Sequence, residues 1–97
     1  MRNVYLITYD ISCEKRYRRL YKAMCGHGEA LQYSVFRCEL TDMELQGLKD
    51  TLWPLLNLHA DRVMIVDLGP IGGRGDQCIE FWGNPLNVIP DRSASIL

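Results

Sequence analysis

The sequence predicts a small α+β domain, an antiparallel sheet carrying two helices on one face in the order βαββαβ. Three observations lead there. Strand-like segments built around apolar runs stand at residues 3–9 and 62–68. Two stretches of helical periodicity lie between them, one from Cys13 to about Cys25 and one opening at Thr41. The residues separating the helices, 29–40, are extended in character. At 97 residues and 47% apolar composition, the chain suits one folded domain with a modest core.

The first strand, NVYLITY, is rich in β-branched and aromatic residues and carries the apolar run Val4-Tyr5-Leu6-Ile7. Such a run belongs to an inner strand, and Asp10 ends it. Ser12 suits a helix N-cap and Glu14 the first turn. Tyr17, Leu20, Tyr21 and Met24 recur at i, i+3, i+4 and i+7, one stripe of a helix. Lys15, Arg18, Arg19 and Lys22 then fall on the opposite face, with Arg16 at its margin. Gly26 or Gly28 can end the helix through a left-handed position.

Within 29–40 the strand period breaks at Ser34-Val35-Phe36, which fits either one long strand or two short ones meeting at a tight bend. Thr41-Asp42-Met43-Glu44 has the pattern of a capping box. The helix it opens lines up Leu45, Leu48, Leu52, Leu55 and Leu56, and Pro54 should kink or end it. Residues 69–77 read as a Gly-rich flexible connector, Cys78 to Trp82 as a further short strand, and 90–97 as a tail. With both helices on one sheet face, the other face must be buried against something. A second copy is the simplest partner, with the connector carrying the last strand to that copy's sheet edge.

Formal charge is −1, so any polyanion site must be local. Residues 1–30 hold six Lys/Arg against three acids, whereas 31–97 hold five against nine. The chain lacks a run of 18 apolar residues and a signal-peptide pattern, which sets the expectation of a cytoplasmic protein with no membrane span. The four cysteines are too irregularly spaced for a zinc ribbon and read mostly as small hydrophobes.

Asp10 is the leading candidate for chemistry. A carboxylate at the end of an inner strand sits on rigid backbone and suits a metal ligand or general base. A single carboxylate is too little for Mg²⁺, which favours octahedral oxygen ligation, unless a twofold axis brings a second Asp10 opposite the first. The cationic stripe of the first helix suits phosphate groups. Gly72-Gly73-Arg74-Gly75 fits neither a P-loop nor a dinucleotide fingerprint, and His27 and His59 have no metal-ligand spacing around them.

Taken together, Tyr5-Leu6-Ile7-Thr8-Tyr9-Asp10-Ile11-Ser12, the KRYRRLYK helix, Leu31 to Cys38, the Arg62 to Leu68 strand and Ile79-Glu80-Phe81 before Gly83 resemble the CRISPR-associated protein 2 family. This is the small spacer-acquisition subunit of CRISPR antiviral defence, often described as an endoribonuclease. The resemblance implies a ferredoxin-like subunit with two middle strands and a homodimer in which residues 78–89 pair with the partner's sheet. It implies paired Asp10 carboxylates holding Mg²⁺ as metal ligands and catalytic groups. Tyr9, Ser34 and Phe36 would lie near the dimer cleft; Arg19 matches a basic position of the family's first helix, and with Lys15, Arg16, Arg18 and Lys22 of the same cationic face it would take the nucleic-acid backbone. Cys13 and Tyr17 depart from the family, where an acidic and a basic residue are common.

The implied activity is metal-dependent phosphodiester hydrolysis of RNA or DNA. The alternative is a non-catalytic scaffold that bridges dimers of the CRISPR integrase and binds protospacer duplex DNA. A ferredoxin-like regulatory or small-molecule-binding domain is a second alternative.

Overall fold

A computed structural model of the chain describes residues 1–84. Its elements are β1 (Asn3–Asp10), α1 (Glu14–Cys25), β2 (Glu29–Gln32), β3 (Val35–Leu40), α2 (Asp42–Leu52) and β4 (Arg62–Pro70), with short 3₁₀ turns at Trp53–Leu55 and Asp76–Cys78. The region 29–40 is thus two strands joined at Tyr33-Ser34. The four strands form one antiparallel sheet in the order β2-β3-β1-β4. This is the βαββαβ, ferredoxin-like topology.

β1 is central, which explains its continuous apolar run. Its odd residues Tyr5, Ile7 and Tyr9 point into the core with Phe36, Cys38 and Leu40 of β3. Leu20 and Met24 of α1 and Leu48 and Leu52 of α2 close that core from above. Tyr17, Tyr21, Leu45, Leu55 and Leu56 flank it half-buried, so both helical stripes face as their spacing requires. The even residues Leu6, Thr8 and Asp10 lie on the face that no helix covers, beside Met64 and Val66 of β4.

The Thr41–Glu44 capping box forms in both directions. α2 ends at Leu52 and Pro54 lies within the 3₁₀ turn that follows, as a missing N–H demands.

Several local expectations change. Ser12 does not cap α1: Cys13 holds the N-cap position, and Ser12 turns its N–H and hydroxyl to Asp61 instead. Neither Gly26 nor Gly28 is left-handed, and Gly26 has φ −80°. Gly28 is required by packing, because a Cβ there would lie 2.5 Å from both Arg37 O and Cys38 Sγ. Among the cysteines only Cys38 is fully buried, while Cys25 and Cys78 are exposed. Cys78 belongs to a 3₁₀ turn rather than a strand, and residues 79–84 join no ladder within the single chain. A strand needs an edge to pair with, and residues 79–84 pair with neither free edge of the sheet, β2 or β4. Residues 85–89 of the expected pairing segment and the tail at 90–97 lie outside the described residues.

Candidate functional site

Asp10 is the last residue of β1 and is exposed on the uncovered face. Its register partner across the sheet is Arg62, the first residue of β4. With Thr8, Tyr9 and Met64 these two border a shallow depression at that end of the face. The opposite end is occupied. Arg37, the register partner of Leu6, reaches Asp76 with Nε and Nη2, each at 2.7 Å from a different carboxylate oxygen. Arg37 also donates to Glu39 at 2.7 Å and lies 3.6 Å from Glu29. The connector is therefore fastened down at Asp76, and the open part of the face is the part that carries Asp10.

Behind the depression, Asp61 ties three segments together. Its carboxylate accepts hydrogen bonds from Ser12 N–H (3.1 Å), Ser12 Oγ (3.3 Å), Arg16 Nε (2.7 Å), Arg16 Nη2 (3.1 Å) and Asn57 N–H (2.9 Å). The Arg16 guanidinium, followed by the Asn57 and Ser12 amides, holds the Asp61 carboxyl well below the usual carboxylate range against the opposing effect of desolvation. The Asp61 side chain is 0% exposed and that of Arg16 26%.

The expected site residues thus separate into groups. Lys15, Arg18, Arg19 and Lys22 form the exposed cationic face of α1 as predicted, with Arg18 paired to Glu14 four residues back. Arg16 is withdrawn from that face by Asp61. Tyr9 and Phe36 face the helices: Phe36 is fully buried, and the Tyr9 ring packs against Tyr17 and Phe36 with centroids at 5.7 and 6.2 Å. Burial pushes the Tyr9 phenol above its ordinary range. These two rings back the Asp10 end of the sheet and present no ring to the uncovered face. Ser34 accepts from Tyr9 N–H through its backbone carbonyl at 3.1 Å, while both the Tyr9 and Tyr17 hydroxyls donate to Tyr33 O, at 3.3 and 2.9 Å. The β2–β3 turn is thereby anchored to β1 and α1 next to the site.

Asp61 and Arg62 were not singled out by the sequence. Arg62 had a usable signal: it opens the second apolar strand, and antiparallel pairing of a strand's start with β1's end sets it against Asp10.

Among the described residues no three His, Cys, Asp or Glu side chains group as metal ligands. One chain offers the single Asp10 carboxylate, short of a hard-cation donor set.

Fold and site together define a small ferredoxin-like protein with an acidic residue at the open end of its central strand and a cationic first helix. The profile of the family described as CRISPR associated protein Cas2 matches residues 3–71, and the chain belongs to that family. A relative named CRISPR-associated endoribonuclease Cas2, from Geobacter sulfurreducens, is 40% identical over 70 residues, covering 72% of this chain and 74% of its own. One named CRISPR-associated endoribonuclease Cas2 1, from Rhodospirillum rubrum, is 37% identical over 95 residues, covering 98% and 91%. The crystal structure of Streptococcus pyogenes Cas2 superposes with a TM-score of 0.72 at 28% identity, covering 82% of this chain and 99% of that one. No helix among the described residues is long and apolar enough to cross a membrane.

Proposed function

We propose that two copies of the chain pair through their uncovered sheet faces and hydrolyse the phosphodiester backbone of nucleic acid, with both Asp10 carboxylates holding one Mg²⁺. The observation that carries this reading is the place of Asp10: exposed, on rigid strand backbone, on the face that a second copy would cover. A divalent cation there would supply charge stabilisation and an activated water. The chain's own residues supply the rest. Asp10 gives the oxygen ligands, and Lys15, Arg18, Arg19 and Lys22 take phosphate groups along α1. Relatives support the reaction class through their names, endoribonuclease for the Geobacter protein and endonuclease for one from Halalkalibacterium halodurans. The test is cleavage of RNA and DNA with Mg²⁺ or EDTA. Asp10→Asn should abolish cleavage with fold and dimer intact; unchanged cleavage by the pure variant overturns the reading.

A second reading, a non-catalytic scaffold for duplex DNA beside the CRISPR integrase, is favoured by the sparse donor set of Asp10. Under it, Asp10→Asn leaves DNA binding and integrase association unchanged, whereas charge reversal of Arg18 and Arg19 removes binding.

A further inference from the structure

We infer that Arg62 is a phosphate-binding residue of the Asp10 site, an inference resting on the proposal that this end of the sheet meets a nucleic-acid backbone. Arg62 and Asp10 are register partners on adjacent antiparallel strands. Directly opposed residues stand on the same sheet face with Cβ atoms about 5 Å apart. Both are exposed, and both border the same depression.

The other arginines divide around this one. Arg2, Arg16, Arg18 and Arg37 are each paired with a carboxylate of their own chain, while Arg19 on α1 and Arg74 in the connector have no ion pair among the described residues but do not border the depression that carries Asp10. Among the described residues Arg62 has no ion pair, so its guanidinium is open to an external anion. It is also well placed by what precedes it. Asp61 is held by Ser12, Arg16 and Asn57, so β4 begins from a fixed backbone. Ser12 lies two residues beyond Asp10, and the same carboxylate thus sets the position of both members of the pair. A guanidinium held in this way can offer two parallel N–H groups to the oxygens of one phosphate. It also offsets the repulsion that Asp10 alone would exert on an approaching phosphodiester.

The test uses the full-length protein and a fluorescent single-stranded RNA and its DNA equivalent. Affinity is measured across a salt series in EDTA, where cleavage plays no part. Arg62→Gln and Arg62→Lys are each made alone and with Asp10→Asn. Arg62→Gln should weaken binding, reduce the salt slope by about 1 for each site engaged and leave the melting temperature and dimer unchanged. Arg62→Lys should restore the slope but not the whole affinity. The loss should persist with Asp10→Asn. An unchanged slope overturns the inference. So does a loss that disappears in the Asp10→Asn background, since Arg62 would then be only a counter-ion to Asp10. Wild-type binding in EDTA with no cleavage once Mg²⁺ is supplied in excess defeats the nuclease reading alone, and absence of any binding at low salt defeats both.

Discussion

Arg16 and Asp61 form a two-pronged ion pair between the first turn of α1 and the residue before β4, at 2.7 and 3.1 Å. The pair turns an arginine of the cationic stripe into a structural tie. Arg16→Ala should therefore lower the urea midpoint of unfolding more than Arg18→Ala. Among the described residues Arg18 meets only the exposed Glu14, and exposed i,i+4 pairs contribute about 0.3–0.5 kcal/mol. In nucleic-acid binding the order should reverse, with Arg18→Ala and Arg19→Ala reducing affinity and Arg16→Ala reducing it only as far as the fold loosens. Equal unfolding midpoints for the Arg16 and Arg18 variants would remove the structural role.

Asp61 also gives the fold a defined acid sensitivity. Its carboxyl titrates lower in the folded chain than in the unfolded one, where the value is about 3.9. The stabilisation is complete above that unfolded value and is lost as pH falls toward the folded one. Asp76 and Glu44 are lowered in the same direction, by Arg37 and by the Thr41 amide respectively. Urea unfolding at successive pH values should show stability falling steadily below about pH 4. Asp61→Asn should be less stable at neutral pH and lose less on acidification. A variant with the wild-type pH slope would exclude Asp61 as a source.

The divide between what could be read from the sequence and what could not follows the range of the interactions. Asp10 was legible because a strand pattern ends on it, and the α1 faces were legible because 3.6-residue spacing sorts Leu20 and Met24 from Lys15 and Arg19. The capping box of Thr41 and Glu44 closes within four residues, so it too could be read locally. Ser12 was misread because its partner, Asp61, lies 49 residues away, and a local rule had already assigned its hydroxyl to the helix. Arg16 differs from Arg18 for the same reason. Tyr9 and Phe36 follow the alternation of their strands into the core, which sets them on the opposite face from Asp10.

Gly28 offers a test of packing against backbone conformation. Its Cβ would strike Arg37 O and Cys38 Sγ at 2.5 Å, and neither neighbour is the free end of a flexible side chain. Gly28→Ala should cost about 1–3 kcal/mol as an overpacking substitution. Gly26 meets only Ala23 O at an ordinary 3.5 Å and has a helical φ. Gly26→Ala should be neutral or stabilise by up to about 1 kcal/mol through the unfolded chain. Chemical denaturation of the two variants side by side decides it, and equal effects would show that β3 yields to an added methyl.

The Arg37–Asp76 fork predicts that the connector is held down at one point. The adjacent Cys78 is an exposed thiol whose Sγ lies 3.3 Å from Arg74 O, so its alkylation rate reports on that point. Asp76→Asn removes the charge from the fork and should speed alkylation of Cys78 while leaving Cys25, on α1, at its wild-type rate. Peptide-level mass spectrometry separates the two thiols. An unchanged Cys78 rate would mean that the turn at Asp76–Cys78 stands without the fork.

Met64 tests the pairing of two copies. It is 53% exposed in the single chain, on the uncovered face beside Thr8 and between the register positions of Asp10 and Leu6. An exposed methionine flanked by half-buried Leu6 and Val66 is a surface that association would bury. A carboxylate there would lose its hydration on association and meet its own symmetry mate together with both Asp10 groups. Met64→Glu should therefore shift the protein toward the 11.2 kDa monomer in sedimentation, with an unchanged far-ultraviolet circular dichroism spectrum. If Asp10 works only with its twin, the same variant should lose Mg²⁺-dependent cleavage in proportion to the dimer lost, and raising the protein concentration should restore both together. A variant that remains a dimer of wild-type strength would place the contact elsewhere on the molecule. A monomer that still cleaves would show that one Asp10 is enough.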